Sequence, residues 1–462
     1  MAEPLAIGRL AILGAAGDLT RRYLLPALAQ LEHGGLLPET FRVVAVAKEA
    51  GDSDGYRRAA LQALARHAQN VPQPARERLA ARIAYLQADV TDPVQLAPVH
   101  AAAGAGPLAA YLALPPAVFE PTIRALSQLG LDEGSRIVIE KPFGDSLAAA
   151  RGLNRLLHEH FDEDAIFRVD HFLAFQTVQN LLGLRFANRA FEYLWNREQV
   201  ERVEIVWDET LALEGRASYY DRAGALKDML QNHLLQLLCL VAMEPPLTLH
   251  ERDLRDAKSQ VLRAVRRSTP QQVQHDAVRA RYAAGRIGDR AVPAYVDERG
   301  VDPQRGTETF AQLTLWIDNW RWAGVPFVLR SGKALRRDRH EIVLAFRGVP
   351  HLAFEANAPA PNVLRLQLEP DRICFGMNVT GAGDPIPLRQ VSLVAELAPL
   401  ELPAYSRVLL DILQARSTMS IRADEAELSW EIVEPVLAAW SKRQVPLLEY
   451  PAGTDGPAPP AN

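Results

Sequence analysis

Cysteine is nearly missing from this chain: Cys239 and Cys374 are the only two in 462 residues. Two thiols 135 positions apart cannot build a disulfide framework, and neither has metal-ligand spacing around it. A reducing, cytoplasmic setting and no metal site are therefore expected. Long apolar runs are lacking too. The strongest, Leu234 to Met243, is interrupted by Gln236 and falls short of the ~18 residues a membrane span needs. The opening MAEPLAIGRL has no apolar core with basic flanks, so no secretory leader is expected. Nor is there an excess of positive charge. The net charge of −5 argues against a protein that coats nucleic acid, while a local pocket can still take a small anion. What is present, 48% hydrophobic and 23% charged residues, is ordinary globular material of two- or three-domain length.

The first third alternates strand and helix signals. Short apolar runs at Leu10–Leu13, Arg42–Lys48, Arg82–Leu86, Leu108–Leu114 and Arg136–Glu140 read as strands. Helical spacing lies between them at Thr20–Glu32, Tyr56–His67, Val94–Ala103 and Ala117–Leu129. Such alternation predicts a parallel sheet covered on both faces, an α/β domain over residues 1–170. The near-continuous apolar strands agree, since they must be buried on both sides. Beyond residue 170 the strands lengthen and partly alternate, at Arg202–Trp207, Thr309–Ile317, Glu341–Phe346, Val363–Leu368 and Gln390–Glu396. Helices intervene at Lys227–Met243, Tyr405–Gln414 and Ile432–Trp440. This predicts an α+β domain over 171–450 with a large, mainly antiparallel sheet. The final PAGTDGPAPPAN, 451–462, has no apolar face to bury and reads as a disordered tail.

Chemistry is suggested at five places. Gly14-Ala15-Ala16-Gly17-Asp18-Leu19 follows a strand and opens a helix, the setting in which helix amides seat a pyrophosphate. It is G-x-x-G rather than the full G-x-G-x-x-G, and an ordinary glycine turn competes with it. Lys48-Glu49 ends the second strand, where a dinucleotide-binding domain meets the adenosine ribose; a cation favours a 2′-phosphate and an acid a free hydroxyl. Glu140-Lys141-Pro142 ends the last strand of the first domain, at the sheet edge where ligands bind. Asp170 and His171 lie together, and His233 stands in a very apolar helix with Asp228 one turn earlier. An Asp with a His is a candidate acid/base pair, because oxidising an alcohol needs a base for the hydroxyl proton. The competing reading of His233 is a helix-face histidine satisfied by a carbonyl.

Taken jointly, these segments resemble the glucose-6-phosphate dehydrogenase family. The matching stretches are GAAGDLTRRYLLPAL, IEKPFG, RVDHFL, VQNLLGLRFAN, EGR, DMLQNHLLQLLCLVAMEPP, VPFVLRSGKAL and WEIVEPVLAAW, in order along nearly the whole chain. The resemblance implies a Rossmann-like NAD(P)-binding domain and a β+α substrate and oligomerisation domain. It also implies oxidation of a sugar C1 hydroxyl to a lactone, and assembly as a homodimer or homotetramer. By the family's motifs His233 is the general base and Asp170 its orienting acid. Lys141, Glu214, Asp228 and Lys333 contact the sugar, and the Lys141-Pro142 turn links cofactor to sugar.

The pattern departs where the family holds the 6-phosphate with His, Tyr and two Lys. His171 is kept; Phe172 replaces the Tyr, Phe175 the first Lys and Asp338 the second, with Arg336 and Arg337 beside it. Burying a phosphate without cations is costly, and each lost charge-assisted bond is worth ~1.5–3 kcal/mol. The expectation is therefore a dehydrogenase of an aldose lacking the 6-phosphate. The alternatives are a glucose-6-phosphate dehydrogenase with a rebuilt phosphate site, and an inactive regulatory homologue. On the cofactor side, Tyr23 and Ala16 replace the family's usual Lys and Ser or Thr. Lys48 permits NADP and Glu49 pushes towards NAD, giving a lean to NAD.

Overall fold

The computed structural model describes residues 5–354, 359–382, 387–397 and 402–458. The chain divides into two compact units. Unit 1 holds the chain up to Ala174, Thr248–Arg255 and the described part of Leu400–Glu427; unit 2 holds Phe175–Leu247, Asp256–Pro399 and the chain from Leu428. The expected single cut at 170/171 does not anticipate the two later segments that return to unit 1.

Unit 1 contains six strands, β1 (Arg9–Leu13), β2 (Arg42–Ala47), β3 (Ile83–Gln87), β4 (Ala109–Leu112), β5 (Arg136–Glu140) and β6 (Ile166–Val169). All pair in parallel in the order β3-β2-β1-β4-β5-β6. This is the doubly wound arrangement, and its order reverses between β1 and β4, where the crevice for a dinucleotide opens. The helix Ala404–Leu413 belongs here because its apolar face, including Leu409 and Leu413, joins the core formed by Leu10, Ile12 and Leu28. Each such leucine contributes ~1.5–3 kcal/mol on burial. The segment is tied further by Ile7 N–H to the Leu413 carbonyl (2.9 Å) and Ile421 N–H to the Arg168 carbonyl (3.0 Å).

Unit 2 is built on β7 (Val200–Asp208), β8 (Ala277–Ala283), the hairpin β9 (Gly285–Ile287) and β10 (Arg290–Val292), then β11 (Phe310–Trp316) and β12 (Pro326–Gly332). β13 (Arg339–Phe346), β14 (Val363–Leu368), β15 (Asp371–Thr380), β16 (Leu388–Glu396) and β17 (Leu447–Pro451) complete it. Nine strands form one sheet in the order β16-β15-β14-β13-β7-β12-β11-β8-β17. It is mainly antiparallel, as expected; only β7/β12 and β8/β17 run parallel. The parallel register sets Gly332 opposite Asp208, so the residues that follow them, Lys333 and Glu209, emerge side by side. No helix among the described residues is long and apolar enough to cross a membrane.

The expected disordered tail is corrected over its described part. Pro451 ends β17, and Ala452 is buried. Gly453 N–H bonds the Ala334 carbonyl (2.8 Å), Arg336 N–H bonds the Thr454 carbonyl (2.9 Å), and the Arg330 guanidinium reaches the Asp455 carbonyl (2.7 Å). Backbone hydrogen bonds hold this segment, and Ala452 joins the core with Tyr282, Phe310 and Leu335. A Cβ on Gly453 would collide with the Arg286 carbonyl, so the glycine allows the close approach. Residues 459–462 lie outside the described residues.

Candidate active site

In unit 1 the glycine turn follows β1 directly. Gly14 has φ +95°, and a Cβ there would collide with the Ala113 carbonyl beyond β4; one on Gly17 would lie 3.1 Å from the Gly14 carbonyl. Gly14 and Ala15 both donate to the Val46 carbonyl (2.9 Å each), and Ala15 accepts from the Tyr56 hydroxyl (2.9 Å). Ala16 continues the turn, and Asp18 and Leu19 form the helix's first turn, ahead of its Arg21-to-Gly17 bond. Their amides have no intrahelical acceptor and suit a phosphate. The Asp18 carboxylate is drawn to Arg22 (3.3 Å). A cradle that excludes a methyl group, at the switch point of a 3-2-1-4-5-6 sheet, fits a dinucleotide.

At the end of β2, Lys48 pairs with Asp89 (3.1 Å) and is well exposed. Hydrogen bonds from Thr91, with help from Lys48, hold the Asp89 carboxyl at about 2. Glu49 is exposed, and its carbonyl accepts from the Tyr85 hydroxyl (2.5 Å). The positive charge expected to read a 2′-phosphate is thus already offset by an acid that sequence reading missed.

Lys141 follows β5 and is joined to Pro142 by a cis peptide. Beside it, Glu140 is buried and accepts from the Tyr111 hydroxyl (2.5 Å). Burial pushes its carboxyl up to about 7, against the opposing Tyr111 and Lys141. Asp170, just after β6, is buried, and its Oδ1 accepts from Phe172 N–H (3.0 Å). The His171 ring stacks on Tyr405 (5.1 Å, 20°) and meets Phe172 edge-on (5.1 Å). Phe172 is buried, 4% exposed, so it packs as core beside that histidine. Arg168 is fully buried and bonds Asn154 (3.0 Å) and Glu163 (2.8 Å), which fixes the strand leading to Asp170.

In unit 2, Asp228, Asn232 and His233 lie on Leu226–Leu234, a π-helical stretch running into the helix Leu235–Ala242. π-turns widen the helix and concentrate at functional sites. His233 is buried, 1% exposed, and its own N–H meets Asn232 Oδ1 (2.6 Å). The Tyr219 hydroxyl donates to Asp228 Oδ1 (3.1 Å). Lys333 pairs with Glu209 (2.5 Å) and lies over the Tyr220 ring (5.2 Å), while its carbonyl accepts from the Tyr450 hydroxyl (2.6 Å). Burial, with Asp228 and Glu308 near, drives the Tyr220 hydroxyl far up. Glu209, Tyr219 and Tyr220 were not among the expected residues; the β7/β12 register sets Glu209 against Lys333, and the fold brings Tyr219 to Asp228 and Tyr220 to Lys333.

Other expected residues are placed differently. Glu214 sits at φ 49° on an exposed turn and pairs with Arg290 of the β9–β10 hairpin (2.6 Å). Phe175 stacks on Trp207 (6.0 Å), which stacks on His340 (3.8 Å). Asp338 is exposed, and its Oδ1 accepts from Thr210 N–H (2.6 Å). Arg336 and Arg337 are exposed and pair with no acid among the described residues.

Two family models cover the chain. Residues 11–180 match the glucose-6-phosphate dehydrogenase NAD binding domain and residues 182–461 the glucose-6-phosphate dehydrogenase C-terminal domain. The chain is 40% identical to the glucose-6-phosphate 1-dehydrogenase of Treponema pallidum, covering 97% of this chain and 92% of that protein. It is 41% identical to that of Mycolicibacterium smegmatis, covering 96% and 93%. Among solved structures, the Mycobacterium avium glucose-6-phosphate 1-dehydrogenase superposes with a TM-score of 0.87 at 34% identity, covering 98% of this chain and 95% of that one. A glucose-6-phosphate dehydrogenase in complex with its substrate glucose 6-phosphate gives 0.89 at 29% identity, covering 99% and 97%.

Proposed function

The chain belongs to the glucose-6-phosphate dehydrogenase family, and on that premise we propose that it oxidises the C1 hydroxyl of glucose 6-phosphate to the lactone, with NAD or NADP as acceptor. The observation that carries this is the near-complete coverage of relatives about 40% identical that bear that one name. It favours the phosphorylated sugar over the unphosphorylated aldose expected from Phe172, Phe175 and Asp338. Two local facts support the change. The Asp338 carboxylate is occupied by the Thr210 amide, and Arg336 and Arg337 stand beside it with no acid partner among the described residues. Either can supply the cation that the phosphate needs.

The dinucleotide, when bound, supplies the hydride acceptor. The chain's own groups do the rest. The His233 imidazole takes the C1-hydroxyl proton as hydride leaves C1, and Asp170 serves as the acid partner of that base. Asp228, held by the Tyr219 hydroxyl, accepts from sugar hydroxyls. Lys333, held by Glu209, and Lys141 donate to them. Glu214 reaches the sugar only by loosening its pair with Arg290. Gly14 to Leu19 would hold the pyrophosphate. Lys48 and Glu49 would meet the adenosine ribose, with Asp89 offsetting the lysine, which supports the lean to NAD. Exposed Leu393 and Val394 on the edge strand β16 support self-association, a homodimer or homotetramer, measurable by light scattering.

The test is a matrix of glucose and glucose 6-phosphate against NAD and NADP, read as nicotinamide absorbance. The expected result is a higher kcat/KM for glucose 6-phosphate. A higher value for glucose would overturn the proposal and restore the unphosphorylated reading.

A further inference from the structure

Unit 2 contains a cavity of about 1030 Å³, lined by six cations: Arg222, Lys227, Arg279, Arg281, Arg305 and Arg443. None of the residues assigned above to sugar or cofactor lines it. Its neutralisation is incomplete. Arg281 pairs with Glu449 (2.9 Å), and Arg305 is shared between Asp302 (3.4 Å) and Asp221 (3.5 Å). Arg279 is held by the Val445 carbonyl (3.1 and 2.8 Å), a neutral partner, with its guanidinium 5.6 Å from the Trp440 ring. Arg222 and Arg443 pair with no acid among the described residues. The one acid lining the cavity, Glu308, is buried; it accepts from Leu226 N–H (3.0 Å), and burial raises its carboxyl to about 7.

A cleft lined by charges of one sign concentrates ions of the other, and Arg222 and Arg443 are exposed at this one, open to an anion from solvent. A backbone feature points the same way. Arg443 has φ 57°, a left-handed conformation that a glycine would adopt freely, just past the helix Ala423–Ser441. An arginine there keeps a charge at the cavity mouth against local preference.

We propose that this cavity binds a polyanion with a phosphoanhydride group, a di- or triphosphate, alone or as part of a nucleotide. Arg222, Arg279 and Arg443 supply charge-assisted hydrogen bonds, and the volume is of the size that small-ligand sites occupy.

Calorimetry on the full chain with orthophosphate, pyrophosphate and ATP tests it. Saturable binding of pyrophosphate or ATP, tighter than that of orthophosphate, is expected. ATP tighter than pyrophosphate would assign a nucleotide; equal affinities would assign the anhydride alone. The double variant Arg222→Ala/Arg443→Ala should bind at least about tenfold more weakly with basal dehydrogenase activity unchanged. Arg443→Gly relieves the left-handed backbone, so it should fold at least as well and still lose affinity. Absence of saturable binding by wild type would overturn the proposal. So would undiminished binding by the folded variants, because the anion would then sit at the glycine turn.

Discussion

Replacing Gly14 by alanine tests the cofactor cradle most directly, with Gly35→Ala as its control. Both glycines have positive φ, +95° and +68°. An alanine in the left-handed region costs ~1–2 kcal/mol, offset by ~0.4–1 kcal/mol of lost freedom in the unfolded chain. At Gly35 nothing lies within 4 Å of the added Cβ, so the net effect should be about 1 kcal/mol or less. At Gly14 the methyl meets the Ala113 carbonyl, and Leu114 Cδ2 at 3.0 Å. The flanking strands cannot yield cheaply, since Leu13 and Leu112 are wholly buried. Overpacking a rigid core adds ~1–3 kcal/mol, for about 3 kcal/mol in all. At ~2–4 °C per kcal/mol for a unit of this size, Gly14→Ala should melt roughly 6–12 °C lower and Gly35→Ala within about 4 °C of wild type. Near-UV circular dichroism melts measure this, and NAD(P) titration should show weakened binding for Gly14→Ala alone. Equal melts for the two variants would refute the claim that the turn is closed to a side chain.

Three further tests address the chemistry. His233→Asn should retain dinucleotide and sugar binding but lose ~10²–10⁴-fold in kcat, and a rate within threefold of wild type would exclude His233 as the base. Asp89→Asn frees Lys48 from its partner and should raise the NADP/NAD ratio of kcat/KM severalfold; an unchanged ratio means that Lys48 does not read the ribose. Glu140 ionises near 4.5 unfolded but at about 7 folded, so the folded state holds a proton that the unfolded chain has released in between. Stability should therefore fall as pH rises from about 4.5 to about 7, by about 3 kcal/mol from this group. Glu140→Gln should flatten that decline in urea titrations, and an undiminished slope would mean that Glu140 titrates normally.

The family's motifs were legible because each is a short contiguous string whose local backbone is dictated by its own residues. Gly14 and Gly17 announce a turn, and Arg136–Glu140 and Val363–Leu368 are strands with the bounds read from their apolar runs. β12 was not read, since Pro326 and Gly332 at its ends look like turn residues. β15 was not read either; no position is buried and Gly376 interrupts it, so neither alternation nor a buried run marks it. The helix Leu147–His160 passed unnoticed although Ser146 caps it through Ala149 N–H.

What the sequence alone determined was which residue types stand at the positions proposed for the chemistry: the glycine turn, Lys141, Asp170 and His233, with Phe172, Phe175 and Asp338 where the family's motifs carry other residues. Those are properties of residue type, and type is written in the chain. Tertiary structure decided which charges are already spent. Asp89 on Lys48, Glu209 on Lys333, Arg290 on Glu214 and the Thr210 amide on Asp338 are partners 41, 124, 76 and 128 positions away. It also decided that Glu140 holds its proton near neutrality, because burial and not residue type sets the cost of a buried charge. Pairing at that separation depends on strand order and register, which no local pattern encodes.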